Sequence, residues 1–151
     1  MNIEEAIKSI HPMGMTTKTV INLMYTSRFV EEAVVQVLRP FDLNLPQYNV
    51  LRILRGQHGK PANLFTIQER MIDRSSNTTR LIDKLLKKGW VLRQVCKENR
   101  RKVEITITSS GLEVLARLDP IIEENNKKIV RNLSLEQMQN LNDWLDLLRE
   151  S

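Results

Sequence analysis

Over residues 75–84 the chain places small hydrogen-bonding side chains first and bases after them: Ser75, Ser76, Asn77 and Thr79, then Arg80 and Lys84. Hydroxyl and amide groups can bond nucleobase edges or phosphate oxygens, and a guanidinium can grip either with two donors. Spaced 100° apart, as on a helix, Thr78, Leu81, Ile82, Leu85 and Leu86 fall on one side. Ser76, Asn77, Arg80, Asp83, Lys84 and Lys87 fall on the other. Small groups at the start of such a stripe let a helix approach base edges, and Ser75 is placed to offer its backbone N–H to a phosphate. Taken alone, the stripe is better explained as the wet face of an ordinary amphipathic helix.

A second basic cluster shifts that balance. Lys97-Glu98-Asn99-Arg100-Arg101-Lys102 separates two stretches whose apolar residues alternate, Val91–Val95 and Val103–Ile107. That pattern predicts a β-hairpin with a polar tip. Arginines at such a tip, Arg100 and Arg101, are placed to enter a narrow minor groove. Asp83 is an acid on a basic face. It is expected to pair with a wing arginine and fix its direction, a contact worth only ~0–1 kcal/mol when exposed.

The elements that must position these residues can be read outward from them. Asn63 can cap a short helix carrying Leu64, Ile67 and Met71, and a tight turn near Ile72-Asp73 leads into the helix that carries Arg80. Pro46 suits the first turn of an earlier helix whose buried face is Val50, Leu51, Ile53 and Leu54. Gly89 supplies the left-handed residue past the third helix. Three short helices and a hairpin with a basic tip outline a winged helix-turn-helix. Upstream, Ile3, Ala6, Ile7 and Ile10 predict a short amphipathic helix. Thr17 or Thr19 is expected to open a long one, which Arg39-Pro40 stops near Leu38. Downstream, Thr108 or Ser109 can cap a helix that Pro120 should kink or restart. Ser134-Leu135-Glu136-Gln137 reads as a capping box, and Met138, Leu141, Leu145 and Leu148 form a narrow seam for a partner helix.

Composition agrees with this placement. The 151 residues are 41% hydrophobic, enough for a packed core. The segment Arg52–Lys102 holds fourteen bases and four acids, whereas the rest of the chain is net acidic. A basic middle between acidic ends points to a polyanionic partner for the middle. No apolar run approaches a membrane span, and the N-terminus lacks the basic start and apolar stretch of a secretory signal. With Cys96 the only cysteine, no internal disulfide or cysteine cage can form, and a reducing, cytoplasmic setting is the default.

From Leu45 to Gly111 the chain resembles the MarR family, the multiple-antibiotic-resistance regulators. The resemblance is carried by Leu45-Pro46-Gln47-Tyr48, Thr79-Arg80-Leu81-Ile82-Asp83-Lys84-Leu85, Gly89-Trp90-Val91, Asn99-Arg100-Arg101 and Thr108-Ser109-Ser110-Gly111. It implies a homodimer with interleaved terminal helices, a pseudo-palindromic operator, repression more often than activation, and release by a small phenolic or anionic ligand. The chain departs from the family where the turn before the recognition helix often reads Gly-hydrophobic-Ser and this chain has Ile72-Asp73-Arg74. It departs again where the wing usually carries acids and this chain has Cys96 and Asn99.

The fold expected is mainly α with a small β-hairpin wing. Residues 1–42 and 109–151 would form a helical dimerisation lobe, and residues 43–108 the winged domain. The DNA-binding residues would be Ser75, Ser76, Asn77, Thr79, Arg80, Lys84, Arg100 and Arg101. No cofactor or metal is expected: His11 and His58 are far apart and have no cysteine partner. Cys96 is better explained as a small hydrophobe ending a strand than as a redox sensor. Trp90 and Trp144 suit core or interface. No nucleophile–base motif, P-loop or dinucleotide fingerprint occurs, so an enzyme is not expected. The alternative is a winged-helix module that docks an acidic protein partner without reading DNA sequence.

Overall fold

The computed structural model describes residues 1–151. Helix α1, Ile3–Ala6, is capped by Asn2, whose side chain exchanges bonds with Glu5. It is shorter than its apolar residues predict: Lys8 turns left-handed at φ 55°, and Ile10 lies in water. The Glu4 carboxylate instead accepts the Met13 N–H at 2.8 Å and meets Lys18 at 3.4 Å, folding this segment onto the start of the next helix. That helix, α2, spans Met15–Leu38 and begins at Gly14, ahead of either threonine expected to open it. Thr19 sits inside the helix and donates back to the Met15 carbonyl at 2.8 Å, so it does not act as a cap. A 3₁₀ turn at Arg39–Phe41 ends α2, and the chain reverses at Asp42, φ 54°.

Helix α3, Leu45–Arg55, starts with Pro46 in its first turn and an Asn44/Gln47 capping box. A two-residue strand β1, Ala62–Asn63, runs straight into α4, Leu64–Arg70, whose cap is the Asn63 side chain. Helix α5, Thr78–Lys87, ends before Gly89, which takes φ 73° and turns the chain into β2, Val91–Val95. Strand β3, Val103–Ile107, returns antiparallel with Arg93 opposite Ile105. β1 adds to its other edge, giving the order β1-β3-β2. A two-residue strand has no alternation to detect, so the sequence showed only the hairpin.

Helix α6, Ser109–Ile129, is capped by Thr108 and runs through Pro120 as one element, with no restart. The carbonyl that loses its donor to the proline belongs to Ala116. Both residues are exposed, so water can satisfy that carbonyl and the small side chain leaves room for the ring. Helix α7, Leu135–Arg149, opens with the Ser134/Gln137 capping box. No helix is long and apolar enough to cross a membrane.

One core holds the winged unit to the long helices. Val50, Leu51 and Leu54 from α3, Ile67 from α4 and Ile82 and Leu85 from α5 pack with Val91 and Ile105 of the sheet. Leu38, Leu115 and Leu118 bring α2 and α6 into the same cluster. Truncating a fully buried member such as Leu85 to alanine costs ~2–5 kcal/mol. The functional face therefore rests on a rigid base.

Candidate nucleic-acid interface

The exposed face of α5 is laid out by the turn before it. Asp73 Oδ1 accepts both the Ser75 N–H at 2.9 Å and the Ser75 hydroxyl at 2.6 Å. Those two bonds hold the Asp73 carboxyl below its usual range. The Ser75 N–H is thus already taken, and it does not stand free for a phosphate as its position in sequence implies. Asn77 Oδ1 accepts the Arg80 N–H at 3.1 Å and caps α5. Ser75, Ser76 and Asn77 therefore form the approach to the helix and lie off its face. The reason is local: Asp and Asn side chains offered the backbone hydrogen bonds that compete with an earlier helix start. The Ser76 hydroxyl oxygen is buried without a partner.

Thr79, Arg80 and Lys84 are exposed on α5, on the side opposite buried Leu81, Ile82 and Leu85. None of the three enters an ion pair or side-chain hydrogen bond within the chain. They are the part of the expected set that presents free donors on one helix face.

The wing tip is ordered by Asn99. Its carbonyl accepts the Lys102 N–H at 2.9 Å and its side chain the Arg101 N–H at 3.1 Å, while the Cys96 N–H reaches the Lys102 carbonyl at 2.9 Å. A neutral amide thus orders the tip. Arg100 and Arg101 stay exposed. Asp83 pairs with Arg93 at 2.9 Å. Arg93 lies in the wing strand β2 and not at the tip, so the bond ties α5 to the base of the wing.

A cleft of about 600 Å³ opens beside the far end of α5, between it, the end of α2 and the start of α3. Arg39, Lys84, Lys87 and Lys88 line it, with Asp42 the one acid and Val35 and Leu43 the apolar walls. Lys88 is held there by the Asp42 carboxylate at 3.3 Å, by the Asp42 carbonyl, and by the Trp90 ring 4.9 Å away. Lys84 follows from the helical stripe in the sequence, but the cleft does not. Arg39 joins it only through the packing of α2 on the winged unit, and no local pattern encodes that.

The MarR family model matches residues 43–103, which run from the approach to α3 to the start of β3. The chain is 34% identical over 110 residues to YfiV of Bacillus subtilis (strain 168), named an HTH-type transcriptional regulator, covering 71% of this chain and 66% of that protein. It thus spans about two thirds of the length of that relative. Among solved structures, a MarR transcription factor from Planctomyces limnophilus is 28% identical, with a TM-score of 0.71 over 91% of this chain and 99% of that one. A mutant E. coli MarR complexed with operator DNA superposes with a TM-score of 0.76 over 99% of this chain and 100% of that one. At 18% identity this last likeness shows a shared fold. Winged unit, flanking helices, motif order and relatives agree: this chain belongs to the MarR family of winged-helix transcription regulators.

Proposed function

We propose that the protein is a homodimeric repressor that binds a pseudo-palindromic operator in double-stranded DNA and is released by a small anionic effector. Residues 43–108 act as the DNA-binding domain, and residues 1–42 and 109–151 as the dimerisation lobe. Thr79, Arg80 and Lys84 work in the major groove. Ser75, Ser76 and Asn77 shape the approach to it, and Arg100 and Arg101 enter the flanking minor groove. The observation that carries this reading is the Asp83–Arg93 bond, which joins two basic elements, helix face and wing, into one unit. Two grooves of one duplex can be gripped together only if those elements keep a fixed separation.

Dimerisation is supported by what the terminal helices leave uncovered. α7 buries none of its residues, and α2 buries only Leu38. The effector reading rests on the basic cleft. Four cations against one carboxylate favour an anion, and two apolar walls offer little to a neutral phenol ring. Because Lys84 belongs to both the cleft and the DNA face, a bound anion would compete with phosphate for it.

The test is selection of binding sites from a random duplex library, with sizing of the complex at physiological salt. An enriched inverted repeat bound by two chains is expected, with affinity falling steeply as salt rises. Enrichment of no sequence would favour a protein-docking module instead.

A further inference from the structure

The turn between α4 and α5 carries two arginines in different states. Arg70, the last residue of α4, donates to Gln57 Oε1 at 2.6 Å. Arg74 is exposed and enters none of the six ion pairs of the chain. Its neighbour Asp73 turns Oδ1 to both donors of Ser75 and makes no ion pair with it.

The backbone under Arg74 is nevertheless fixed from three helices. Asn49 of α3 accepts the Ile72 N–H at 2.8 Å. Gln68 of α4 donates its side-chain NH₂ to the Arg74 carbonyl at 2.8 Å. The same Gln68 accepts, through Oε1, the buried Thr78 hydroxyl at the start of α5. An exposed surface turn needs no such anchoring for solubility. A cation on a fixed backbone loses less conformational freedom on binding than one on a mobile loop.

We propose that Arg74 is a further DNA-contacting residue, a phosphate clamp placed ahead of the recognition helix, and that Gln68 is its positioning residue. This rests on the DNA-binding reading above. The partner is a backbone phosphate: Arg74 is exposed in the turn that leads into the helix carrying Thr79 and Arg80. A phosphate contact also fixes register on the duplex without reading sequence.

The test measures affinity for the selected duplex across a salt series, using full-length protein. Arg74→Gln should weaken binding about tenfold, as expected for losing a hydrogen bond to a charged group. It should lower the log–log salt slope by about 1, equally on matched and mismatched duplexes. Arg70→Gln removes a like charge from the end of α4 and should lower the slope by less, because the Gln57 amide holds that guanidinium. The double variant Gln68→Met/Thr78→Val replaces both hydrogen-bonding partners by apolar groups of similar shape, so folding should survive. It should approach the Arg74→Gln loss, and adding Arg74→Gln to it should cost little more. An unchanged slope in Arg74→Gln, or an equal loss in Arg70→Gln, overturns the clamp. A double variant that binds like wild type overturns the role of Gln68. Wild-type protein that binds no duplex at all would instead sink the DNA-binding reading, and this inference with it.

Discussion

At the scale of single residues, the unpartnered Ser76 hydroxyl makes a sharp prediction. A buried polar group without a hydrogen bond costs ~1–3 kcal/mol, and alanine removes the group without leaving a cavity of any size. Ser76→Ala is therefore expected to stabilise the fold by roughly 1 kcal/mol, read as a higher urea midpoint. It should change DNA affinity little, since the buried hydroxyl offers DNA no donor and Ser76 serves the approach through its backbone. A lower midpoint would mean that the hydroxyl is satisfied after all. The Asp83–Arg93 pair makes a prediction whose sign decides its role. If Asp83 were merely an acid on a basic face, Asp83→Asn would relieve repulsion of phosphate and tighten binding. If it holds Arg93, and through it the wing, the same change should weaken binding, while stability shifts by no more than ~1 kcal/mol because both partners are exposed. Weaker binding at near-constant stability is the expected result. Measured affinity and denaturation midpoint together distinguish the two.

At the scale of elements, caps and close approaches set where the functional helices begin. Asn77→Ala deletes the acceptor for the Arg80 N–H and should cost ~1 kcal/mol of stability, fraying the turn of α5 that carries Thr79 and Arg80. Gly111 stands where α6 leaves the sheet. A methyl group there would press on the Trp90 carbonyl and come within 2.8 Å of the Ile107 side chain. Gly111→Ala should destabilise by ~1–3 kcal/mol, measurable by thermal or urea unfolding, with α6 displaced from the base of the wing. Elements of this kind were legible in sequence where one strong local signal acted alone. Asn63 and Ser134 cap the helices they were expected to cap, Gly89 takes the left-handed turn, and the period-two runs became β2 and β3. Elements set by contacts distant in sequence were not. At the start of α2, Glu4 reaches forward to Met13 and Lys18, and β1 is a strand only through its pairing with β3. The same limit applies at the site. The stripe holding Arg80 and Lys84 follows from helical period, whereas the diversion of Ser75 to Asp73 and the entry of Arg39 into the basic cleft are products of the turn and of packing.

At the scale of the whole molecule, the terminal helices are the unfinished part of the single chain. α7 is fifteen residues long, a length at which an isolated helix in water is marginal, and it buries none of them. Trp144 is 65% exposed and Leu148 60%, with Leu141 beside them on the seam. On α2, Met24 and Phe29 are likewise more than half exposed. Apolar surface on this scale is expected at an interface, and two copies of the same narrow seam can cover each other about a twofold axis. Wild-type protein should therefore sediment as two chains at micromolar concentration. Trp144→Glu/Leu148→Glu places charge at the seam and should release monomers. The winged unit should stay folded in them, because its core of α3, α4, α5 and the sheet draws nothing from α7. Linkage of two DNA-binding units raises affinity by roughly 10²–10⁴ without any new contact, so the monomer should lose that much on a full inverted repeat. On a single half-site it should lose almost nothing. The two half-sites in the selected duplex should lie about one helical turn, roughly 34–36 Å, apart. A charged variant that remains dimeric would move the interface to α1 and α2. Equal losses on the full and half sites would mean that α7 supports the fold and not the pairing of chains.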